Sequence, residues 1–283
     1  MVGKPLLPQA DRMTRFVHLT DLHISHPDLD DPHLSSDTAA TLARAVQMIN
    51  TITPAPDFVV LSGDLTNCGD AASYGLVRDL IAPLQMPVLH ALGNHDTRPG
   101  YRAAFPETGG CPEAPLFHHS VQGALHVIVL DSSIPGRIAG GLDAEQLALL
   151  DRALAEHADL PKLLVCHHPP HFDRPGALDW ESLNAGDTAA LARILRGHPI
   201  AGMLSGHIHI NRVLHWQGFP VVISTGLHNT LDILEPADLV ILEGSGFALC
   251  DHGPAGLDAR FVPLGPVPRK LGRIDEEMLR GFR

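Results

Sequence analysis

Cysteine is scarce in this chain and never paired. Cys68, Cys111, Cys166 and Cys250 are the four thiols, and no two form a C-x-x-C pair. That spacing fits neither a zinc ribbon nor a disulfide framework. Positive charge is also short: 20 Lys plus Arg stand against 32 Asp plus Glu, a formal net charge of −12. Long nucleic acid needs a basic surface, which such a chain does not offer. An anionic ligand must be drawn in locally instead. There is no run of 18 apolar residues, so no membrane-spanning helix is expected. The stretch 1–15 holds Lys4, Asp11, Arg12 and Arg15 but no continuous apolar segment, and does not read as a signal peptide. A reducing, cytoplasmic setting is the expectation. Internal repeats and low-complexity linkers are absent too.

What is present is an alternation of strands and helices. Residues 15–20 read as a strand, and 36–50 as a helix with Ala39, Leu42, Val46 and Ile49 on one face. Phe58-Val59-Val60-Leu61 is a continuous apolar run, as in a strand buried on both faces. A helix over 71–84 and strands over 87–92 and 125–130 come next. Asp143 and Gln146 resemble a capping box, opening a helix with Leu147, Leu150 and Leu154. Then come a strand at 162–166, a helix at 187–196 ended by Gly197, and a strand at 200–204. Beyond His209 the pattern turns to β. Residues 212–216 and 221–223 predict a hairpin about Gln217-Gly218, and 239–242 with 247–250 suggest another. Residues 172–186 read as a loop placed to form part of a lid, and 271–283 as a short terminal helix. Buried strands flanked by amphipathic helices predict a layered α/β fold.

The chemistry lies at the carboxyl ends of the strands. Asp21-Leu22-His23 comes after the first and Gly63-Asp64 after the second. Gly93-Asn94-His95-Asp96 comes after the third, His167-His168-Pro169-Pro170 after a later one, and Gly206-His207-Ile208-His209 after another. That end of the strands is where ligands of open α/β sheets bind. Each short motif alone is explained by an ordinary turn; five in this order, each after a buried strand, are not. Oxygen and imidazole donors suit divalent Mn, Fe, Zn, Co or Ni. Two aspartates, one asparagine and four histidines exceed the needs of one ion and suffice for two sharing a carboxylate. Two metals about 3.5–4 Å apart are the usual device for in-line displacement at phosphorus.

This ordered set, spanning about 15–226, resembles the calcineurin-like metallophosphoesterase superfamily. Its wording is most similar to the class III cyclic nucleotide phosphodiesterases, near the glycerophosphodiesterases. The resemblance implies a four-layer α/β/β/α sandwich in a single domain over 1–283, with a core at about 15–226 and β-rich C-terminal hairpins and tail at about 227–283. It implies two metal ions, Mn or Fe first and Zn, Co or Ni as substitutes. Asp21, His23 and His209 would hold one, Asn94, His167 and His207 the other, and Asp64 would bridge them. His168 would support from behind. His95 would face the phosphate as the catalytic residue and protonate the leaving group, with Asn94 also meeting substrate. Asp96 either orients His95 or closes the turn. Asn67 and Cys68 read as turn residues, and Asp131 as support for a loop. The implied reaction is metal-dependent hydrolysis of a small phosphodiester, cyclic nucleotide or glycerophosphodiester. Phosphomonoesterase or phosphoprotein phosphatase action is the rival, and a non-catalytic metal-binding scaffold the third reading. Relatives often form homodimers through loops or C-terminal hairpins. One departure stands out. Class III members often carry Ser-Thr-Cys where this chain reads Ser224-Thr225-Gly226-Leu227-His228. His228 is therefore either a substrate contact or a surface loop residue.

Overall fold

The computed structural model describes residues 13–172, 178–235 and 239–265. In the first sheet β1 (Thr14–Leu19), β2 (Phe58–Ser62) and β3 (Val88–Ala91) run parallel. The second sheet has the order β4 (His118–Gln122), β5 (Leu125–Leu130), β6 (Lys162–Cys166), β7 (Ile200–Ser205), β9 (Phe219–Ile223), β8 (Arg212–Trp216). Its four inner strands are parallel and its two edges antiparallel. A ribbon of β10 (Thr230–Leu231) and β11 (Ile241–Leu242) stands apart. The first sheet is completed by β12 (Gly246–Gly253), antiparallel to β1, and β13 (Gly256–Pro263) beyond it.

Alternation along the strands sorts their side chains into three cores. Phe16, Phe58 and Val60 of one sheet meet Val127, Val165, Leu204 and Val222 of the other. The rings of Phe16 and Phe58 stack with centroids 4.9 Å apart. On the outer face of the first sheet lie α1 (Thr38–Asn50), α2 (Ala71–Ile81) and α3 (Arg98–Ala104), burying Leu42, Val46, Val77 and Tyr101 against Val17 and Val59. On the second sheet α4 (Ala144–Ala155) and α5 (Ala185–Leu195) bury Leu150, Leu154 and Leu191 against Ile128 and Leu164. The fold is the four-layer α/β/β/α sandwich, since each element hides one apolar face.

Several details differ from the sequence reading. The first helix begins at Thr38, because Asp37 caps it by accepting from the Ala40 amide at 2.9 Å. The next helix ends at Ile81 rather than 84, and the fifth starts at Ala185 behind its cap Asn184. Asp143 does cap α4, but Gln146 does not reach back. Its amide instead brackets the backbone of Asp131, at 3.0 Å to N and 2.8 Å to O. Four elements escaped notice: α3, β4, β10 and β13. α3 opens with Arg98-Pro99-Gly100, which reads as a breaker although proline is accepted in a first turn. β4 is a half-buried edge strand, His-His-Ser-Val-Gln, with no apolar alternation.

The expected pairing of 239–242 with 247–250 is wrong. β11 pairs with β10, while the fuller strand at 246–253 lies between β1 and β13. Phe247 and Cys250 are buried, and a strand buried in that way needs a neighbour on each side. Arg15 holds the junction from β1, with Nε donating to Asp251 Oδ1 at 2.7 Å. Residues 271–283 lie outside the described residues, as do 173–177 of the expected lid.

A histidine cluster lies at the end of the second sheet where β5 and β6 begin. His126 is fully buried, with Nε2 3.0 Å from His119 Nδ1 and its ring 5.0 Å from that of His157. Lys162 donates nearby to the carbonyls of Glu156, His157 and Leu160. Burial, then the positive Lys162, His119 and His157, push the His126 pKa down to about 4. The unfolded chain would take up this proton near the ordinary value of 6.5, before the folded chain does. This residue's contribution to stability is therefore complete above that pH and is lost as pH falls from 6.5 toward 4. His126→Gln should flatten the acid side of the stability profile, read by urea unfolding at pH 7.5 and 5. An unchanged difference between the two pH values would refute this account.

Candidate metal centre

The motif residues meet where the parallel strands of both sheets end. Of seven non-glycine residues with positive φ among the described residues, five are Asp21 (49°), His23 (45°), Asp64 (49°), His207 (73°) and His209 (47°). That region costs L-residues energy and is held only where surrounding contacts enforce it, as at functional sites. The turn bonds are the enforcement. The amide of Asp21 donates to Gly63 O at 3.0 Å, and that of His23 to Asp64 O at 2.9 Å. The His207 amide donates to both oxygens of Asp21 at 3.1 Å. Gly93 permits a close approach: a Cβ there would lie 2.3 Å from Asp64 Oδ1.

Asp21, His23 and His209 form one corner. His209 Nε2 is 3.2 Å from Asp21 Oδ1 and 3.2 Å from His23 Nε2, and His23 Nε2 is 3.7 Å from Asp64 Oδ2. Both rings are oriented from behind. The Asp31 carboxylate accepts from Asn67 Nδ2 at 2.7 Å, which turns Asn67 Oδ1 toward His23 Nδ1 at 2.8 Å. His23 must then carry its proton on Nδ1 and present a lone pair at Nε2. Asn229 Oδ1 does the same for His209 Nδ1, at 2.8 Å.

Asp64 and His167 form the second corner, with Gly93, the residue before Asn94, packed against both. His167 Nδ1 donates to Ser62 O at 3.0 Å, leaving Nε2 3.2 Å from Asp64 Oδ2. His207 is the exception in this set. Its Nε2 donates to Trp180 O at 2.6 Å, so Nδ1 is its remaining ligand atom. His167, His168 and His207 are close enough to share an ion. His168, however, uses both nitrogens: Nδ1 accepts from Ser132 Oγ and Nε2 donates to Ile138 O, each at 2.8 Å.

His95 is exposed beside these corners, its ring 4.7 Å from that of His23. Its amide donates to Asp64 Oδ1 at 2.8 Å, and Nδ1 donates to Asn67 O at 2.9 Å, so Nε2 is the reactive nitrogen. Asp96 does not touch His95. Its carboxylate accepts from the amides of Gly93, Leu65 and Thr66 and from the Tyr74 hydroxyl at 2.8 Å, and so ties two ligand loops together. Asp131 likewise serves its loop, accepting from Arg98 Nε and the Leu116 amide. His228 is not on the surface. It is buried, its ring 4.8 Å from His23, with Ser35 and Asn229 against its two nitrogens.

The profile of the calcineurin-like phosphoesterases matches residues 14–211. The chain belongs to that family. It is 32% identical over 222 residues to a cAMP/cGMP dual specificity phosphodiesterase of Mycobacterium tuberculosis, covering 77% of this chain and 68% of the relative. It is 34% identical over 205 residues to a 3',5'-cyclic adenosine monophosphate phosphodiesterase of Pseudomonas aeruginosa, covering 71% and 72%. A probable glycerophosphodiester phosphodiesterase of Arcobacter nitrofigilis is 29% identical over 182 residues, covering 64% and 67%. Among solved structures, a dimetal phosphatase of Danio rerio superposes with a TM-score of 0.60 at 17% identity, covering 87% of this chain and 98% of that one.

The donor set of this phosphoesterase fits metal. Asn94 Oδ1 is buried without a hydrogen-bond partner, as an atom reserved for a cation would be, and His167 Nε2 faces the Asp64 carboxylate at 3.2 Å. The Nε2 lone pairs of His23 and His209 oppose each other across 3.2 Å, which needs a proton or metal ion between them. Burial disfavours charge on His167, but Asp64 outweighs it and lifts the pKa to about 9. Burial alone dominates at His23 and lowers it to about 3.

The departure at 224–228 has a physical basis. Gly226 has φ +82°, and a Cβ there would lie 2.6 Å from Asp21 Cβ and 3.0 Å from Thr20 O. A cysteine would press on the loop carrying Asp21. The residues missed by sequence reading are the outer partners Asp31, Asn229 and Trp180, with Asn67 undervalued as a turn. Asn67 spans the site: its side chain sets His23 and its carbonyl sets His95. Asn67→Ala should weaken metal binding about 10–100-fold, the usual effect of removing such a partner, in a chelator competition. Unchanged affinity would show that Asp31 and Asn67 only close a turn.

Proposed function

We propose that this phosphoesterase hydrolyses a small phosphodiester, a cyclic nucleotide or a glycerophosphodiester, at a pair of divalent cations. The observation that carries this reading is the convergence of Asp21, His23, Asp64, His167 and His209 beside the exposed His95. Asp21, His23 and His209 would hold one ion, Asn94, His167 and His207 the other, and Asp64 would serve both. Mn and Fe suit the mixed oxygen and imidazole set, and Zn, Co or Ni would be accepted by the same donors. Bound there, two cations would neutralise the diester's charge and acidify a water so that a nucleophile exists near neutral pH.

The chain's own groups do the rest. His95, fixed at Nδ1 by the Asn67 carbonyl, presents a protonated Nε2 to the departing alkoxide. Asn94 offers Oδ1 to a cation and its amide protons to a phosphate oxygen. His228 meets the non-scissile part by its ring edge, since Ser35 and Asn229 flank its nitrogens. The names of the relatives support a diester over a monoester substrate.

The chain works as one domain over 1–283, since β12 is hydrogen-bonded along β1. No helix among the described residues is long and apolar enough to cross a membrane, and a cytoplasmic site of action is part of this reading. The acidic net charge argues against long nucleic acid. Ile233, Leu234, Leu239, Ile241 and Leu242 are exposed on and around the β10–β11 ribbon and support a homodimer.

Protein prepared without chelator should contain close to two transition-metal ions per chain by elemental analysis, the count implied by a two-metal site. Asp64→Ala should lose at least one ion and nearly all turnover, and Asp64→Asn should be poor, because an amide bridges two cations badly. Wild-type metal content and rate in Asp64→Ala would disprove the assignment. The substrate panel is bis-aryl and mono-aryl phosphates, cyclic nucleotides and glycerophosphodiesters with Mn-loaded protein; preference for monoesters would favour the rival reading.

His95→Ala separates binding from chemistry. It should keep both ions yet lose about 10²–10⁴ in rate. The loss should shrink for an aryl ester, whose leaving group scarcely needs a proton. Equal losses on good and poor leaving groups would leave His95 only the positioning of phosphate.

A further inference from the structure

A cavity of about 520 Å³ opens directly beside His95. Asn67, Cys68, Asn94 and His95 are among the residues that line it, with Ile134 and Pro135 from the segment 132–138. It lies on the side of the residue proposed to protonate the leaving group. Its volume falls within the usual range for small-molecule sites, and is far more than a glycerol moiety fills.

The segment 132–138 is held in place by hydrogen bonds. His168 pins the segment at two points, Ser132 Oγ and Ile138 O, each at 2.8 Å. Asp131 accepts from the Ser133 amide at 3.0 Å, and Arg98 donates to Ser133 O at 3.0 Å. This segment contributes none of the proposed metal ligands and meets the centre through its two hydrogen bonds to His168.

The lining also has a charge preference. Arg98 faces the cavity, but its guanidinium is already engaged by Asp131 Oδ2, Glu113 O and Ser133 O. It has little left for an anion, and the carboxylate-bearing Glu113 borders the same space. An uncharged alcohol with a ring system suits this lining: apolar contact from Ile134 and Pro135, polar edges from Asn67 and Ser133.

We propose that this cavity receives the uncharged ring-bearing group that carries the leaving oxygen, which is released as an alcohol from an acyclic aryl diester and stays attached to the phosphate as the nucleoside of a ring-opened cyclic nucleotide, and that the segment 132–138 hung on His168 is its size-setting wall. The inference rests on the diesterase reading and narrows it toward nucleotide-like substrates, with glycerophosphodiesters as poor ones.

Cys68 gives a handle on the cavity. It and Cys111 are exposed, while Cys166 and Cys250 are buried. In a Cys111→Ser background, Cys68 can be labelled with benzyl methanethiosulfonate, with the methyl reagent as the smaller control. The benzyl adduct should raise KM for a cyclic nucleotide by about tenfold or more, a shift of about 1.4 kcal/mol. The effect should be much smaller on glycerophosphoethanolamine, and smaller again with the methyl adduct. Pro135→Trp, narrowing the space from the segment 132–138, should reproduce the same ranking. Adenosine should slow the labelling of Cys68, and glycerol should not. Equal effects on both substrates, or labelling indifferent to adenosine, would overturn the proposal. Inactivity of the unmodified protein on every diester would instead sink the diesterase reading, and the adenosine protection would still report on the cavity.

Discussion

Two carboxylates, Asp21 and Asp64, are buried side by side at the ends of β1 and β2, and the rest of the site is built to make that tolerable. Asp21 is wholly buried and Asp64 is 2% exposed. Burial raises the pKa of both, and the nearby imidazoles more than reverse it, holding both below the ordinary carboxylate value. Two ionised acids can stay in such a place only if cationic partners face them. His209 and His167 sit 3.2 Å from Asp21 and Asp64. Cations placed among these groups answer the same need more completely. The fold does not tolerate the acids for stability; it concentrates them where charge will be brought in.

The means is backbone geometry at strand ends. Parallel strands direct their carboxyl ends one way, and left-handed residues immediately after them turn side chains inward. Three of the strained residues are locked by hydrogen bonds from their backbone amides to a neighbouring loop: Asp21 to Gly63 O, His23 to Asp64 O and His207 to the Asp21 carboxylate. Because those loops come from different strands, loss of one ligand loop loosens the others. Asp96 adds a further tie by collecting amides from two loops at once. The strain is thus carried by contacts between the two sheets, whose apolar faces hold each other at Phe16, Phe58, Val165 and Val222.

The inner ring of this site was legible in the sequence because each donor comes after a short apolar run that can only be a buried strand. Position relative to a strand end is local information. The outer ring was not legible for the opposite reason. Asp31 and Asn67 are separated by 36 residues and His209 and Asn229 by 20, and all four sit in turns without periodicity. Their pairing exists only once the sheets have formed. The C-terminal strands make the same point. Arg15 and Asp251 are 236 residues apart, and the residues of β12 carry no mark of a partner at the far end of the chain. A local hairpin was the natural reading, and it lost because β12 is buried on the side that β1 fills. α3 was hidden by Pro99 and Gly100, which look like a break unless one knows that Tyr101 has an apolar face to fill against Tyr74 and Phe105.

This geography divides the labour. Residues that face charge are buried, locked at one ring nitrogen, and tied to more than one strand. His95 is different: it is exposed, held by one carbonyl, and placed where the buried ring meets solvent. The role proposed for His95, gaining and losing a proton each turnover, requires that access, whereas the role proposed for the buried donors requires the reverse. The 132–138 segment is one step further out, connected to the centre chiefly through His168, which packs 4.3 Å from His207 but has no nitrogen left for metal. Changes in that segment can alter what fits beside His95 without altering the charge that the two aspartates demand. Gly226 shows the contrary case. It lies so near Asp21 that any side chain there would disturb the ring itself, so diversity in substrate preference is physically easier to place at 132–138 than at 224–228.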